Sequence, residues 1–274
     1  MIVQNSNRLP VVLGDSMRGL EGKSAIVTGG AGGIGREICR RLAAEGCAAV
    51  GIFDLNEKGG QETFALINTD MARAAASVHV VNITDYDAVT REVAAFKAKS
   101  GAIDILVNCA GWDRSSLFLE SKPDLWRQMI DMNLMGPLNV LHAVLPHMVE
   151  RRSGKVINIA SDAGRVGSSA EVVYSACKGG IIALTKSLCR ELARHNIILN
   201  TVCPGPTNTP LLAAFVGFSD KAPKLYEGMV RATPLRRIAE PTDMPGIVAF
   251  LASDDANFIM GQTISVSGGL TMHG

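Results

Sequence analysis

Ser24-Ala25-Ile26-Val27-Thr28-Gly29-Gly30-Ala31-Gly32-Gly33-Ile34-Gly35 is the stretch on which the reading of the fold turns. Ser24–Thr28 is short and apolar at its centre, the composition of a strand buried on both faces. A glycine cluster ends it, and Ile34–Glu45 then carries apolar residues at helical spacing. A strand feeding a glycine-rich turn feeding a helix is the geometry that holds a dinucleotide pyrophosphate. Glycine admits positive φ and close backbone approach, and a helix start offers free N–H groups and the positive end of its dipole.

Working outward, Ala48–Phe53 is a second buried strand that ends at Asp54. A helix near Gly60–Ile67, a strand near Ser77–Val81, a helix over Tyr86–Lys99 and a strand over Ile103–Val107 follow. Pro123–Arg151 supplies two helical segments with a break near Gly136-Pro137, before a strand at Lys155–Ala160 and a long helix at Val172–Arg194. Ile197–Cys203 is a strand, Pro241–Ser253 a helix and Thr263–Val266 a last strand. Continuous apolar strands alternating with helices predict a parallel sheet covered on both faces, and right-handed crossovers make it doubly wound. The expected fold class is α/β, a single-domain Rossmann-type doubly wound parallel sheet. Residues 1–18 read as an N-terminal arm and 19–274 as one dinucleotide-binding domain. Pro204–Glu240 reads as irregular and too long for a plain connection, so a substrate lid is expected at about 206–240.

Composition mainly excludes. The chain has 274 residues, 47% hydrophobic and 19% charged, enough to bury a sizeable core. Its formal net charge of +1 argues against nucleic acid as a partner. No apolar run reaches the roughly 18 residues of a membrane span, and the first residues do not read as a signal peptide. Cys39, Cys47, Cys109, Cys177, Cys189 and Cys203 form no C-x-x-C pair and read as reduced thiols of a cytoplasmic protein. Neither they nor the histidines give a metal-ligating pattern, so no metal site is expected.

Asp54 lies 54 − 35 = 19 residues past the last glycine of the turn, where an acid hydrogen-bonds the adenosine ribose. A carboxylate there repels a 2′-phosphate, and no Lys or Arg lies within Gly29–Gly35 or at Leu55, so NAD is favoured over NADP as cofactor. Asp54 capping the next turn is the plainer reading. Tyr174 and Lys178 stand at i and i+4 on a helix and share a face, where an ammonium favours a phenolate and makes it usable as an acid or base. Ser161, Asn108 and Pro204-Gly205 sit at the carboxyl ends of strands, where ligands bind in open α/β sheets.

From about Leu20 to Gly274 the chain resembles the short-chain dehydrogenase/reductase family. Thr28-Gly29…Gly33-Ile34-Gly35, Asn108-Cys109-Ala110-Gly111, Asn133, Ser161, Tyr174…Lys178 and Asn200…Pro204-Gly205…Thr209 carry the resemblance, in order. It implies Tyr174 as general acid/base, Lys178 on the nicotinamide ribose and lowering the Tyr174 pKa, Ser161 on the substrate oxygen, and Asn133 holding a relay water. Gly29, Gly33, Ile34, Gly35, Asp54, Asn82, Ile83, Asn108, Ala110, Gly111, Tyr174, Lys178, Pro204, Gly205, Thr207 and Thr209 are then the expected cofactor contacts. Cys109 stands where the family often has a second Asn, and Asn82 where it often has an Asp. A homotetramer is also implied, with contacts along Val172–Arg194 and the C-terminal segment.

Within the family, Gly111-Trp112-Asp113 and the run from Asn158 to Ser169 resemble enzymes that oxidise alicyclic 2-hydroxyacyl-CoA thioesters. The expected activity is thus an NAD-dependent interconversion of secondary alcohol and ketone, on a small-molecule substrate with a CoA thioester among the candidates. Ser161, Trp112, Arg165, Phe215 and Tyr226 are the expected substrate contacts. Leu211, Leu212, Phe218, Leu225 and Met229 add an apolar face to the lid, and Arg114, Arg165, Lys221, Lys224 and Arg231 are candidate cations for a CoA mouth. The alternatives are a 3-oxoacyl-thioester (ACP) reductase, a dehydrogenase of free cyclic alcohols or diols, and a nucleotide-binding regulator that has lost catalysis.

Overall fold

The computed structural model describes residues 17–70, 74–217 and 222–272. Residues 1–16 of the expected arm, with Phe218 and Lys221, lie outside them. β1 (Ser24–Thr28) leads through α1 (Gly33–Ala44) to β2 (Ala49–Asp54), and α2 (Glu57–Asp70) to β3 (Ala75–Val80). α3 (Tyr86–Ser100) and β4 (Ile105–Asn108) follow, then α4 (Pro123–Ile130), α5 (Gly136–Arg151) and β5 (Gly154–Ile159). α6 (Ala163–Val166) and α7 (Val172–Leu192) precede β6 (Ile197–Pro204). Then come α8 (Pro210–Gly217), α9 (Ala222–Ala232), α10 (Pro245–Ala252) and β7 (Thr263–Val266).

The strands form one sheet in the order β3-β2-β1-β4-β5-β6-β7, every pair parallel. This is the single doubly wound domain expected. Neighbouring strand residues point to opposite faces. Ile26, Leu106, Val156 and Leu199 pack with Val89, Val93, Val140 and Val144 of α3 and α5. Val27, Val107, Ile157 and Val202 pack on the other face with Ile38, Leu42 and Val248 of α1 and α10. Burying each such side chain stabilises the fold by about 1.5–3 kcal/mol before chain entropy is counted. The order reverses between β1 and β4, which opens a crevice at their carboxyl ends.

Local chemistry sets the helix limits. Asp85 caps α3 by accepting from the Ala88 N–H, and Gly101 ends it in the left-handed region at φ 75°. The break expected at Gly136-Pro137 takes another form: a π-helical turn, Asp131–Met135, joins α4 to α5 just before it. Proline is tolerated in the first turn of α5, where its missing N–H is no loss. The stretch read as irregular holds α8 and α9, which corrects that expectation. α8 is apolar on all sides, so its sequence carries no helical period to detect.

Candidate active site

The glycine turn lies at the crevice and its backbone explains its composition. Gly29 has φ +71°, and a Cβ there would lie 2.8 Å from the Ala110 Cα. The turn and the end of β4 are tied together by Thr28, whose Oγ1 accepts from the N–H groups of Cys109 (3.0 Å) and Ala110 (3.1 Å). No side chain caps α1, so the donors of its first turn face a cavity of about 630 Å³. Asp54 lines the same cavity at the end of β2, with Oδ2 accepting from the Ala31 N–H (3.0 Å) and Oδ1 from the Asn56 N–H (2.9 Å). Free helix-start donors beside a carboxylate and beside space that Gly32 leaves open fit a dinucleotide. Arg36 stands one residue past the turn. Its guanidinium donates to the carbonyls of Ala31 (2.7 Å) and Gly59 (3.3 Å), to Thr63 (3.0 Å) and to Glu62 (2.8 Å).

Across the crevice, Ser161 follows β5, and Tyr174 and Lys178 come from the first turns of α7; all three line the cavity. The Tyr174 hydroxyl is within hydrogen-bonding reach of Ser161. Lys178 is buried, with Nζ 5.5 Å from the Tyr174 ring centroid and donating to the Ile159 carbonyl at 3.1 Å. Burial, rather than Lys178, sets the direction of the Tyr174 pKa. Burial pushes the phenol well above its ordinary value, and the charges of Glu171 and Asp113 push it further, against the Ser161 hydrogen bond. The ammonium lies over the ring and is committed to a carbonyl; burial also lowers its own pKa.

Of the expected cofactor contacts, Gly29, Gly33, Ile34, Gly35, Asp54, Ala110, Gly111, Pro204, Gly205, Thr207 and Thr209 line the cavity with Tyr174 and Lys178. Asn82, Ile83 and Asn108 do not. Asn82 accepts from the backbone and hydroxyl of Thr84, Ile83 is buried beneath Gly136, and Asn108 donates to Asn158 across the sheet. Asn133 is fully buried in the π-helical turn. It donates to the carbonyls of Trp112 (2.6 Å) and Met129 (3.0 Å) and accepts from the Trp112 N–H (3.1 Å), so it anchors the segment after β4.

Among the expected substrate contacts, Phe215 lines the cavity with Leu211, Leu212 and Met229. Trp112, Arg165 and Tyr226 do not. Arg165 is turned to β7, donating to the Ser265 hydroxyl (2.7 Å) and the Thr263 carbonyl (3.5 Å), and Ser265 in turn donates to Asp162. A guanidinium spent on the sheet edge is no cation for a CoA mouth. Tyr226 is 43% exposed on the outer side of α9. Sequence reasoning missed Glu171, which lines the cavity, and the buried Asp113 beside it. The position of Glu171, three residues before Tyr174, was the available signal.

Fold and site together define an enzyme of the doubly wound α/β class, with Ser161, Tyr174 and Lys178 lining a cavity at the carboxyl edge of the sheet. A family model described as enoyl-(acyl carrier protein) reductase matches residues 29–271. The chain is 39% identical over 252 residues to the 3-oxoacyl-[acyl-carrier-protein] reductase of Staphylococcus aureus, covering 91% of this chain and 98% of that protein. It is 35% identical over 253 residues to an acetoacetyl-CoA reductase of Acinetobacter, covering 92% and 99%. A crystal structure of NAD+-bound xylitol dehydrogenase superposes with a TM-score of 0.88 at 30% identity, covering 92% of this chain and all of that one. The chain belongs to the short-chain dehydrogenase/reductase family and is an oxidoreductase acting on CH–OH groups. No helix among the described residues is long and apolar enough to cross a membrane.

Proposed function

We propose that the protein is an NAD-dependent dehydrogenase that interconverts a secondary alcohol and a ketone on an alicyclic 2-hydroxyacyl-CoA or 3-hydroxyacyl-CoA-like substrate. The observation that carries this reading is the convergence of Ser161, Tyr174 and Lys178 on the cavity that the glycine turn and Asp54 line from the other side. The turn and the first N–H groups of α1 would hold the pyrophosphate, Asp54 the adenosine ribose and Lys178 the nicotinamide ribose. When bound, the nicotinamide supplies the hydride acceptor or donor. Ser161 would orient the substrate oxygen and Tyr174 would take its proton in oxidation or return it in reduction. Lys178 would hold positive charge beside the phenol as it ionises.

Asp54 supports NAD over NADP, because a carboxylate in that place repels a 2′-phosphate and the Arg36 guanidinium is already bound to Glu62 and two carbonyls. The apolar wall of Leu211, Leu212, Phe215 and Met229 suits a carbocyclic or acyl group, with residues of about 206–240 as its cover. Resemblance to 2-hydroxycyclohexanecarboxyl-CoA dehydrogenase, on Gly111-Trp112-Asp113 and neighbouring runs, supports the alicyclic substrate. The named relatives support an acyl thioester more broadly. An apolar groove of Leu138, Leu145, Leu184 and Leu188 between α5 and α7, with exposed Phe258 and Met272, supports a homotetramer, and the free cysteines suit the cytoplasm.

The test follows NADH formation on cyclic 2-hydroxyacyl-CoA thioesters, the matching acyl-carrier-protein thioesters, the free hydroxy acids and simple cyclic alcohols. Turnover confined to the CoA thioesters is the expected result. Equal turnover of the free alcohols, or activity with NADPH and acyl-carrier-protein ketones alone, would overturn it.

A further inference from the structure

The run from Asn158 to Ser169 holds two charged residues, Asp162 and Arg165, to which the mechanism gives no role. They flank the turn that presents Ser161 to the cavity and leads into α6. The backbone of that turn is tied to β6: the Ala160 N–H donates to the Val202 carbonyl (2.8 Å) and the Asp162 N–H to the Pro204 carbonyl (3.0 Å). The Gly164 N–H closes the turn on the Ser161 carbonyl (2.9 Å), and the Ser161 Oγ accepts from the Ala163 N–H (3.1 Å). Two side chains then reach past β6 to β7. The hydroxyl of Ser265, on β7 and 103 residues away in sequence, donates to Asp162 Oδ1. The same Ser265 oxygen accepts from the Arg165 guanidinium at 2.7 Å, and that guanidinium also donates to the Thr263 carbonyl at 3.5 Å. Asp162, Arg165 and Ser265 thus close a ring in which one hydroxyl serves both charged groups.

We propose that Ser265 is a positioning residue for Ser161: through Asp162 and Arg165 it anchors to β7 the turn that sets where the Ser161 hydroxyl meets the substrate oxygen. This rests on the reading of Ser161 as the group that orients that oxygen. Asp162 is buried and its Oδ2 has no hydrogen-bond partner, so the Ser265 hydroxyl is what holds its carboxylate among the described residues. A buried carboxylate that loses such a donor is costly in place and draws its segment towards another partner. The turn has a second support on α7. A Cβ at Gly164 would lie 2.6 Å from the Lys178 carbonyl carbon, so the turn packs directly on the helix that bears Tyr174 and Lys178. β7 and α7 together therefore fix the placement of Ser161 relative to Tyr174. Ser265 acts at the sheet edge, two strands from β5, and touches neither substrate nor cofactor in this role.

The experiment measures kcat for alcohol oxidation by the full chain with saturating NAD, on the member of the panel above that wild type turns over fastest. It compares wild type, Ser265→Ala, Ser265→Thr, Ser161→Ala and the double variant Ser161→Ala/Ser265→Ala, with NAD affinity measured by calorimetry for each. Misplacing an orienting group by about 1 Å costs on the order of 100-fold in rate, so Ser265→Ala is expected to lose at least about 10-fold in kcat. NAD affinity, set at the glycine turn and Asp54, should change by less than about 2-fold. Ser265→Thr keeps the hydroxyl and should recover most of the lost rate. In the Ser161→Ala background the second substitution should cost less than about 2-fold, because the group that it positions is gone. Asp162→Ala cuts the same link without stranding a carboxylate, and carries the test if Ser265→Ala does not fold. An equal loss in both backgrounds would mean a merely structural role and overturn the proposal, as would a Ser265→Ala rate equal to that of wild type. Undiminished activity of Ser161→Ala would instead overturn the catalytic reading of Ser161, whatever Ser265→Ala does.

Discussion

Gly29→Ala adds a single methyl group, and its cost can be worked from three distances. At φ +71° an alanine pays about 1–2 kcal/mol for the left-handed backbone that glycine adopts freely. The new Cβ would also sit 2.8 Å from the Ala110 Cα, 2.9 Å from the Ala110 N and 3.2 Å from the Cys109 carbonyl carbon. Carbon atoms pack at about 3.5–4.0 Å, so the segment after β4 must retreat by somewhat under about 1 Å. All three neighbours are backbone, so no rotamer change relieves the clash. Retreat stretches the two hydrogen bonds that Thr28 accepts from Cys109 and Ala110, each contributing about 1 kcal/mol. We expect Gly29→Ala to lose about 3 kcal/mol in denaturant unfolding and to bind NAD at least about 10-fold more weakly, since the turn is displaced at the switch point. Gly32→Ala is the control: its backbone is extended and a Cβ meets nothing within 4 Å, so stability should change by less than about 1 kcal/mol while the methyl intrudes on cofactor space. An unchanged denaturation midpoint for Gly29→Ala, or a larger loss of stability for Gly32→Ala, would refute this account.

Asp54→Ser should narrow the preference for NAD over NADP by at least about 10-fold in kcat/KM, on removal of a charge facing the ribose position; unchanged discrimination removes Asp54 from the cofactor reading. Asn133→Ala should cost about 2 kcal/mol in unfolding experiments, because it strands the half-buried N–H and carbonyl of Trp112 at once, and a cost near zero would mean water replaces the amide. Burial holds the His79 imidazole below its ordinary pKa, against the opposing Glu92 carboxylate, so the unfolded chain takes up the proton first. The resulting stability is complete above the ordinary histidine pKa of about 6.5 and is lost as pH falls towards the depressed folded value. His79→Gln should accordingly flatten the acid side of a stability-against-pH curve, and an unchanged slope would exclude His79 as its source.

The residues that proved legible in the sequence are those whose spacing is itself the constraint. A buried strand must be apolar, a turn that approaches β4 must be glycine, and residues four apart on α7 must share a face. These conditions put β1, α1, Tyr174 and Lys178 where the sequence reading put them. Relations between distant segments were not legible. Nothing local ties Arg165 to Ser265 or Asn133 to Trp112; each pair meets only because the parallel sheet brings separate crossovers to one edge. α8 escaped notice because a helix apolar on every side has no period.

α8 buries none of its own residues among the described side chains, yet with α9 it contributes Leu211, Leu212, Phe215 and Met229 to the cavity wall. The sheet and its three core clusters are built without α8 and α9. The shape of that wall is thereby set apart from the packing of the sheet. We expect that exchanging α8 and α9 for those of a relative would change the cavity wall while the sheet keeps its melting behaviour, whereas the buried Thr207, Thr233 and Ile238 of the surrounding stretch belong with the body.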